Sequence, residues 1–205
     1  MPHLKYKRAT SGGPILFPEF ALLPAVGKSF LLCIVVIVLL SSASQTTAVA
    51  ATNLSPEPLY HLRLFHTHTG ERLDIVYRRG DTYDSAALAR LNYYLRDHRT
   101  GDTRQYDPRV FDLLHDLAVA TGQRNAEIAV VCGYRTPFSN EYLRTHGHGV
   151  ARHSLHMQAM AIDIRMADVS AAKLRDAALA LHRGGVGYYA ASSFVHVDVG
   201  RVRRW

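Results

Sequence analysis

The chain has 205 residues, a formal net charge of +7 and only two cysteines, Cys33 and Cys132. Two cysteines exclude a disulfide-stapled scaffold. Arginines spread along the chain, with no basic block, leave no footprint for nucleic-acid binding.

Residues 1–50 read as a secretory signal peptide. Lys5, Lys7, Arg8 and Lys28 precede an apolar run from Phe30 to Leu40, followed by polar residues and Ala48-Val49-Ala50. The run is too short to span a bilayer, which needs about 20 residues. An uncleaved anchor is the alternative reading. Cleavage after Ala50 removes Cys33, four basic residues and Glu19, leaving a charge of +4 on residues 51–205. These are expected to form one exported domain, in the periplasm or cell envelope, with enough length for a real core. A mild positive charge suits an acidic extracytoplasmic matrix.

From Leu59 to Tyr77 two alternating runs flank a turn at Thr69-Gly70, which predicts a β-hairpin. Asp84 or Ser85 caps a helix running through Leu95. Asp107 as cap, Pro108 in the first turn and Gly122 as stop frame the clearest helix. "AEIAVVCG" (126–133) reads as a short buried strand and "TPFSNEYLRTHG" (136–147) as a short helix. "AIDIR" (161–165) is a strand, and the stretch from Asp168 to Gly185 is a further helix. "VGYY" and "SFVHVDVG" are two strands joined by a tight turn around Ala190 to Ser192. Without regular βαβ alternation, the expected class is α+β, an antiparallel sheet with flanking helices.

Two His/Asp pairs stand in apolar strand settings. His196 and Asp198 are two apart in an alternating strand and so share one face, while Val195, Val197 and Val199 point into the core. His156 and Asp163 are seven apart. As a helix that spacing separates the Cα atoms by about 10.5 Å, and as a straight strand by more than about 20 Å. The pair meets only if the chain bends between them. The set His156, Asp163 and His196 offers two imidazoles and a carboxylate, with a fourth position open to water, as in catalytic zinc sites. Other divalent ions also suit these donors. The pairs His66/His68 and His146/His148 lie in turn or Gly-rich segments and read first as solvated turn histidines.

"SLHMQAMAID" resembles the S-x-H-x-x-G-x-A-x-D motif of the zinc peptidases grouped as lysostaphin, D-alanyl-D-alanine peptidase and hedgehog types. "GYRTPFSNEYLR" is similar to their G-Y-R-[ST]-x-x-x-N segment. "RDHRTGD", "GGVGYY", "SSFVHVDVG" and the terminal "VRRW" resemble the YcbK-like, murein endopeptidase K type branch. The resemblance implies a hedgehog/D-Ala-D-Ala peptidase-like fold and a hydrolase holding one Zn2+ ion that cuts peptide cross-links of peptidoglycan. By position it makes His156, Asp163 and His196 the metal ligands. Arg135 would hold a substrate carboxylate or polarise the scissile carbonyl, and otherwise it is a turn arginine capping nearby carbonyls. Ser154 would orient the loop or the substrate.

Relatives often place the general base shortly before the last zinc histidine, but Ser193 and Phe194 stand there and neither can serve. Asp198 is the candidate base; its other reading is to orient His196. Ala159 replaces the family's glycine. A positive φ there would cost about 1 to 2 kcal/mol, whereas a need only for a small side chain would make alanine harmless. A D,D- or L,D-carboxypeptidase and a non-catalytic zinc-containing wall-binding or partner-binding module are the alternatives to an endopeptidase.

Overall fold

Alternating apolar residues build a sheet whose strands run out of chain order. The computed structural model describes residues 57–147 and 149–205; the signal-peptide expectation and His148 fall outside them. The expected hairpin is β1 (Leu59–His66) with β2 (Arg72–Arg79), followed by the short β3 (Thr82–Tyr83). Helices α1 (Ser85–Tyr94) and α2 (Arg109–Ala120) lead to β4 (Glu127–Cys132), and α3 (Pro137–His146) follows. A 3-10 turn, Leu155–Gln158, precedes β5 (Ala161–Met166). Helix α4 (Ala171–Leu181), β6 (Gly185–Tyr189), β7 (Phe194–Asp198) and β8 (Arg203–Arg204) complete the domain.

The strand order is β3-β2-β1-β4-β5-β7-β6-β8. The α+β expectation holds, with one difference. β1 pairs with β4, and β6 with β8, in parallel, while the remaining pairs are antiparallel. Helices α1 and α2 lie between β1 and β4 in the chain, the long crossover that a parallel neighbour requires.

Capping side chains set the helix starts. Asp84 accepts from the backbone N–H of Ala86 and Ala87, Thr136 from Ser139, and Ser170 from Lys173. Helix α2 departs from the expectation: its N-cap is Pro108 rather than Asp107 and has no side-chain cap bond, although Asp107 accepts from the backbone N–H of Arg109 at 3.0 Å. One face of the sheet feeds the core through Leu62, Leu64, Ile128, Val130, Ile162, Ile164, Val195 and Val197. Helix α4 packs over β5, β6 and β7, and α2 over β1 and α4. That arrangement turns the alternate residues of β5 and β7 toward the other face.

The bend required between His156 and Asp163 occurs at Ala159, which is fully buried at φ 53°, ψ 41°. Its carbonyl accepts from the backbone N–H of Asp107 at 3.1 Å. The family's glycine position therefore does need the left-handed conformation, and alanine occupies it under strain of about 1 to 2 kcal/mol. Against that stand a buried methyl, worth about 0.8 kcal/mol, and the extra chain entropy that glycine loses on folding, about 0.5 to 1 kcal/mol. These terms nearly cancel. Ala159→Gly should shift urea-denaturation stability by less than about 1 kcal/mol, whereas Ala159→Val, β-branched and overpacked, should lose about 2 to 4 kcal/mol. A glycine gain above about 2 kcal/mol would show that strain outweighs packing.

Candidate metal centre

Strand register lines up a single row of side chains across four strands. Cys132 of β4 pairs with Asp163 of β5, Asp163 with His196 of β7, and His196 with Gly187 of β6. Directly paired residues hold their Cβ atoms about 4.5 to 5.5 Å apart. Asp163 and His196 therefore meet by register alone. His156 descends on them from the 3-10 turn, whose N-cap Ser154 accepts from the His156 backbone N–H at 3.3 Å.

Three acceptor atoms converge. His156 Nε2 lies 3.1 Å from Asp163 Oδ1 and 3.1 Å from His196 Nδ1, and His196 Nδ1 lies 2.9 Å from Asp163 Oδ1. Each ring is held through its other nitrogen. His156 Nδ1–H donates to the Gly133 carbonyl at 2.7 Å, and His196 Nε2–H donates to Asp198 Oδ2 at 3.1 Å. Those bonds fix the tautomers and aim both lone pairs at the carboxylate oxygen. Lone pairs so placed repel unless a cation sits among them. A tetrahedral zinc with bonds of about 2.0 to 2.1 Å wants its donors about 3.3 to 3.4 Å apart. The triangle needs to open by only a few tenths of an ångström, so the donors fit the ion.

The electrostatics agree. Burial opposes a charge on His156, but the Asp163 carboxylate outweighs it and raises the pKa to about 9. Burial would raise Asp163, yet His156 and His196 hold its carboxyl well below the usual range. Both shifts have one cause, the packing of two imidazoles against one buried carboxylate.

A second trio shares two of these residues. Cys132 Sγ lies within 4.8 Å of the donor atoms of His156 and Asp163. Common ligands of one tetrahedral zinc stand about 3.3 to 3.8 Å apart, so the His196 triangle is the tighter fit. Burial pushes the Cys132 thiol up, but His156 and Arg135 outweigh it and hold it below its ordinary value. Sequence reasoning missed Cys132. Its place in the row depends on a register shift between Val130 and Cys132, which no spacing rule reveals.

Arg135 stands behind the triangle. Its Nη2–H donates to Asp163 Oδ2 at 3.1 Å and its Nε–H to Cys132 Sγ at 3.0 Å. It therefore braces the carboxylate while also lining the cleft.

Asp198 stands on the far side of the His196 ring from the other donors. Its carboxylate is fully buried and binds the far nitrogen of His196. It also accepts from the backbone N–H of Gly185 and Gly200, each at 2.9 Å, and from Arg203 at 2.7 and 3.1 Å. Its acceptor sites are filled by these bonds, one of them to His196 Nε2. A Cβ on Gly185 would lie 2.4 Å from Asp198 Oδ2, so glycine there makes room for this carboxylate.

A cleft of about 270 Å³ opens over the triangle, lined by Arg135, His153, Ser154, Tyr189, Phe194 and Trp205 among others. His153 and Tyr189 line the cleft beside the three converging donors. A hollow of about 420 Å³ between β2 and α1 is larger, but no metal-ligating trio stands there among the described residues. His66 is not the solvated turn histidine expected: it is buried, its Nδ1 accepts from the backbone N–H of His68 and Thr69, and its ring stands edge-on to His98, on which His68 stacks; His146 stacks on Tyr142.

The family model described as peptidoglycan L,D-endopeptidase MepK matches residues 55–205. A Haemophilus influenzae protein named probable peptidoglycan L,D-endopeptidase MepK is 40% identical over 158 residues, covering 77% of this chain and 84% of the relative. The Escherichia coli K12 and Shigella flexneri proteins named peptidoglycan L,D-endopeptidase MepK are each 37% identical over 168 residues, covering 82% of this chain and 91% of theirs. The chain belongs to this peptidase family, as its motifs led us to expect.

Acid stability follows from Asp198. Burial would raise its pKa, but bonds from His196, Arg203, Gly185 and Gly200 hold it well below the ordinary aspartate value of 3.8. A depressed carboxyl contributes stability above its unfolded pKa and loses it as pH falls through the folded one. Thermal unfolding in chelator should therefore show stability dropping as pH falls below about 4. Asp198→Asn should be less stable at neutral pH and fall less steeply in acid. An unchanged acid slope would mean that the carboxylate is not held as described.

Proposed function

We propose that this member of the MepK-type family is an exported, zinc-dependent peptidoglycan L,D-endopeptidase that hydrolyses peptide cross-links of the wall. The convergence of His156 Nε2, Asp163 Oδ1 and His196 Nδ1 within 3.1 Å of one another, under an open cleft, carries this reading. The relatives' names support the substrate class, and the charged, apolar and A-x-A order of residues 1–50 supports export with the signal removed.

In this reading His156, Asp163 and His196 hold one zinc ion. Bound there, zinc supplies Lewis acidity to a carbonyl and lowers the pKa of a water to about 7. The protein's own residues do the rest. The Gly133 carbonyl and the Asp198 carboxylate fix the two imidazoles, and Arg135 braces Asp163. Nη1 of Arg135 takes no hydrogen-bond partner among the described residues, which leaves it for a substrate carbonyl or carboxylate in the cleft. Ser154 shapes the turn that carries His156 and contributes to the cleft floor.

Purified protein should contain one zinc per chain and split cross-linked muropeptide dimers into monomers, with activity lost to a chelator and restored by zinc. His156→Ala, Asp163→Ala and His196→Ala should each lose both the zinc and the activity. Release of a single terminal D-alanine would make the enzyme a carboxypeptidase. Zinc at full occupancy with no turnover would make it a binding module.

The raised pKa of His156 predicts how zinc affinity depends on pH. Below about 9 the entering ion must displace a proton. Affinity should then weaken about tenfold per pH unit for each proton displaced, as read by chelator competition between pH 6.5 and 8.5. A flat profile would place the metal elsewhere.

A further inference from the structure

The only tryptophan of the sequence, Trp205, is hydrogen-bonded along β6 as a strand residue would be. Here the Trp205 N–H donates to the Val186 carbonyl at 3.2 Å, and the Trp205 carbonyl accepts from the Tyr188 N–H at 3.1 Å. The indole Nε1–H donates to the Tyr189 hydroxyl at 3.1 Å, and the Arg203 guanidinium lies 4.9 Å from the ring centre. The ring centre stands 5.1 Å from that of His196.

Gly187 makes room for it. A Cβ at that position would come within 2.6 to 2.8 Å of three indole atoms. Gly187 is also the neighbour of His196 in the row that continues to Asp163 and Cys132. Where every other member of the row projects a side chain, the glycine leaves a slot, and the indole folds back into it. Yet Trp205 remains 51% exposed, and it lines the cleft with Arg135 and Tyr189. A rigid aromatic face, already ordered and half in water beside the donors, can take up contact area at little further entropy cost.

We propose that Trp205 is a wall of the substrate cleft: its indole packs against the bound peptide beside His196 and sets where that peptide lies. The inference deepens the peptidase reading and rests on it for the identity of the peptide. Arg203 ties the two functions together, because the guanidinium that backs the indole also clamps Asp198, the brace of His196.

The test uses the full chain, with any tag kept off its C-terminus, and cross-linked muropeptide dimers as the probe. Trp205→Ala and Gly187→Ala, the latter displacing the indole, should each raise KM about tenfold or more while changing kcat less than about threefold. Zinc content should stay at one per chain. Trp205→Phe should hold KM within about threefold of the parent. An unchanged KM in both Trp205→Ala and Gly187→Ala would overturn the proposal.

A second readout covers variants that fail to fold. In the zinc-loaded parent protein, rapid mixing with the same dimers should produce a saturable change in indole emission ahead of any turnover. No change at saturating dimer would overturn the wall even if turnover is normal. Turnover absent with the emission change present would defeat the peptidase reading and leave the wall standing.

Discussion

Register between β5 and β7 is the constraint on which the centre depends. Asp163 opposes His196 because Ile162 opposes Val197 and Ile164 opposes Val195, all buried on the face covered by α4. A slip of either strand by one residue would turn its apolar side chains to solvent and its donor into the core. The hydrophobic face thus specifies the position of two donors that it never touches. His156 is held separately, through the Gly133 carbonyl and the left-handed residue that ends its turn.

Around that row the buried charges are layered rather than scattered. Asp163 lies between the imidazoles and Arg135; Asp198 lies between His196 and Arg203. A buried carboxylate without partners would cost several kcal/mol, and here each one binds an arginine on one side and a histidine on the other. Neither Asp198 nor Arg135 is an independent stabilising ion pair. Each also contacts one of the converging donor residues, His196 and Asp163 respectively.

How much of this was legible in sequence follows from the range of each signal. The shared face of His196 and Asp198 is a period-two fact, readable from five residues. The helix caps Asp84 and Thr136 are equally local. The need for a bend between His156 and Asp163 came from distance alone, and the small residues Ala159 and Ala161 left it two places. Periodicity could not tell which imidazole nitrogen Asp198 would meet, and that detail separates an orienting carboxylate from a base. Cys132 entered the row through a bulge, and β8 pairs in parallel over two residues. Neither leaves a pattern in a window of ten.

The edge of the sheet therefore acquires a second purpose. An exposed edge strand invites pairing with other chains, and a short, charged strand is a common cover. β8 is such a strand, Arg203–Arg204 laid along β6. It also delivers Arg203 to Asp198 and Trp205 to the cleft. The central strands carry the donors on a fully buried core, whereas this flank is held by a few backbone bonds, one ion pair and one indole. Flanks of that kind open at lower free energy than a core does. Changes near Trp205 should consequently alter the cleft well before they disturb the triangle of donors.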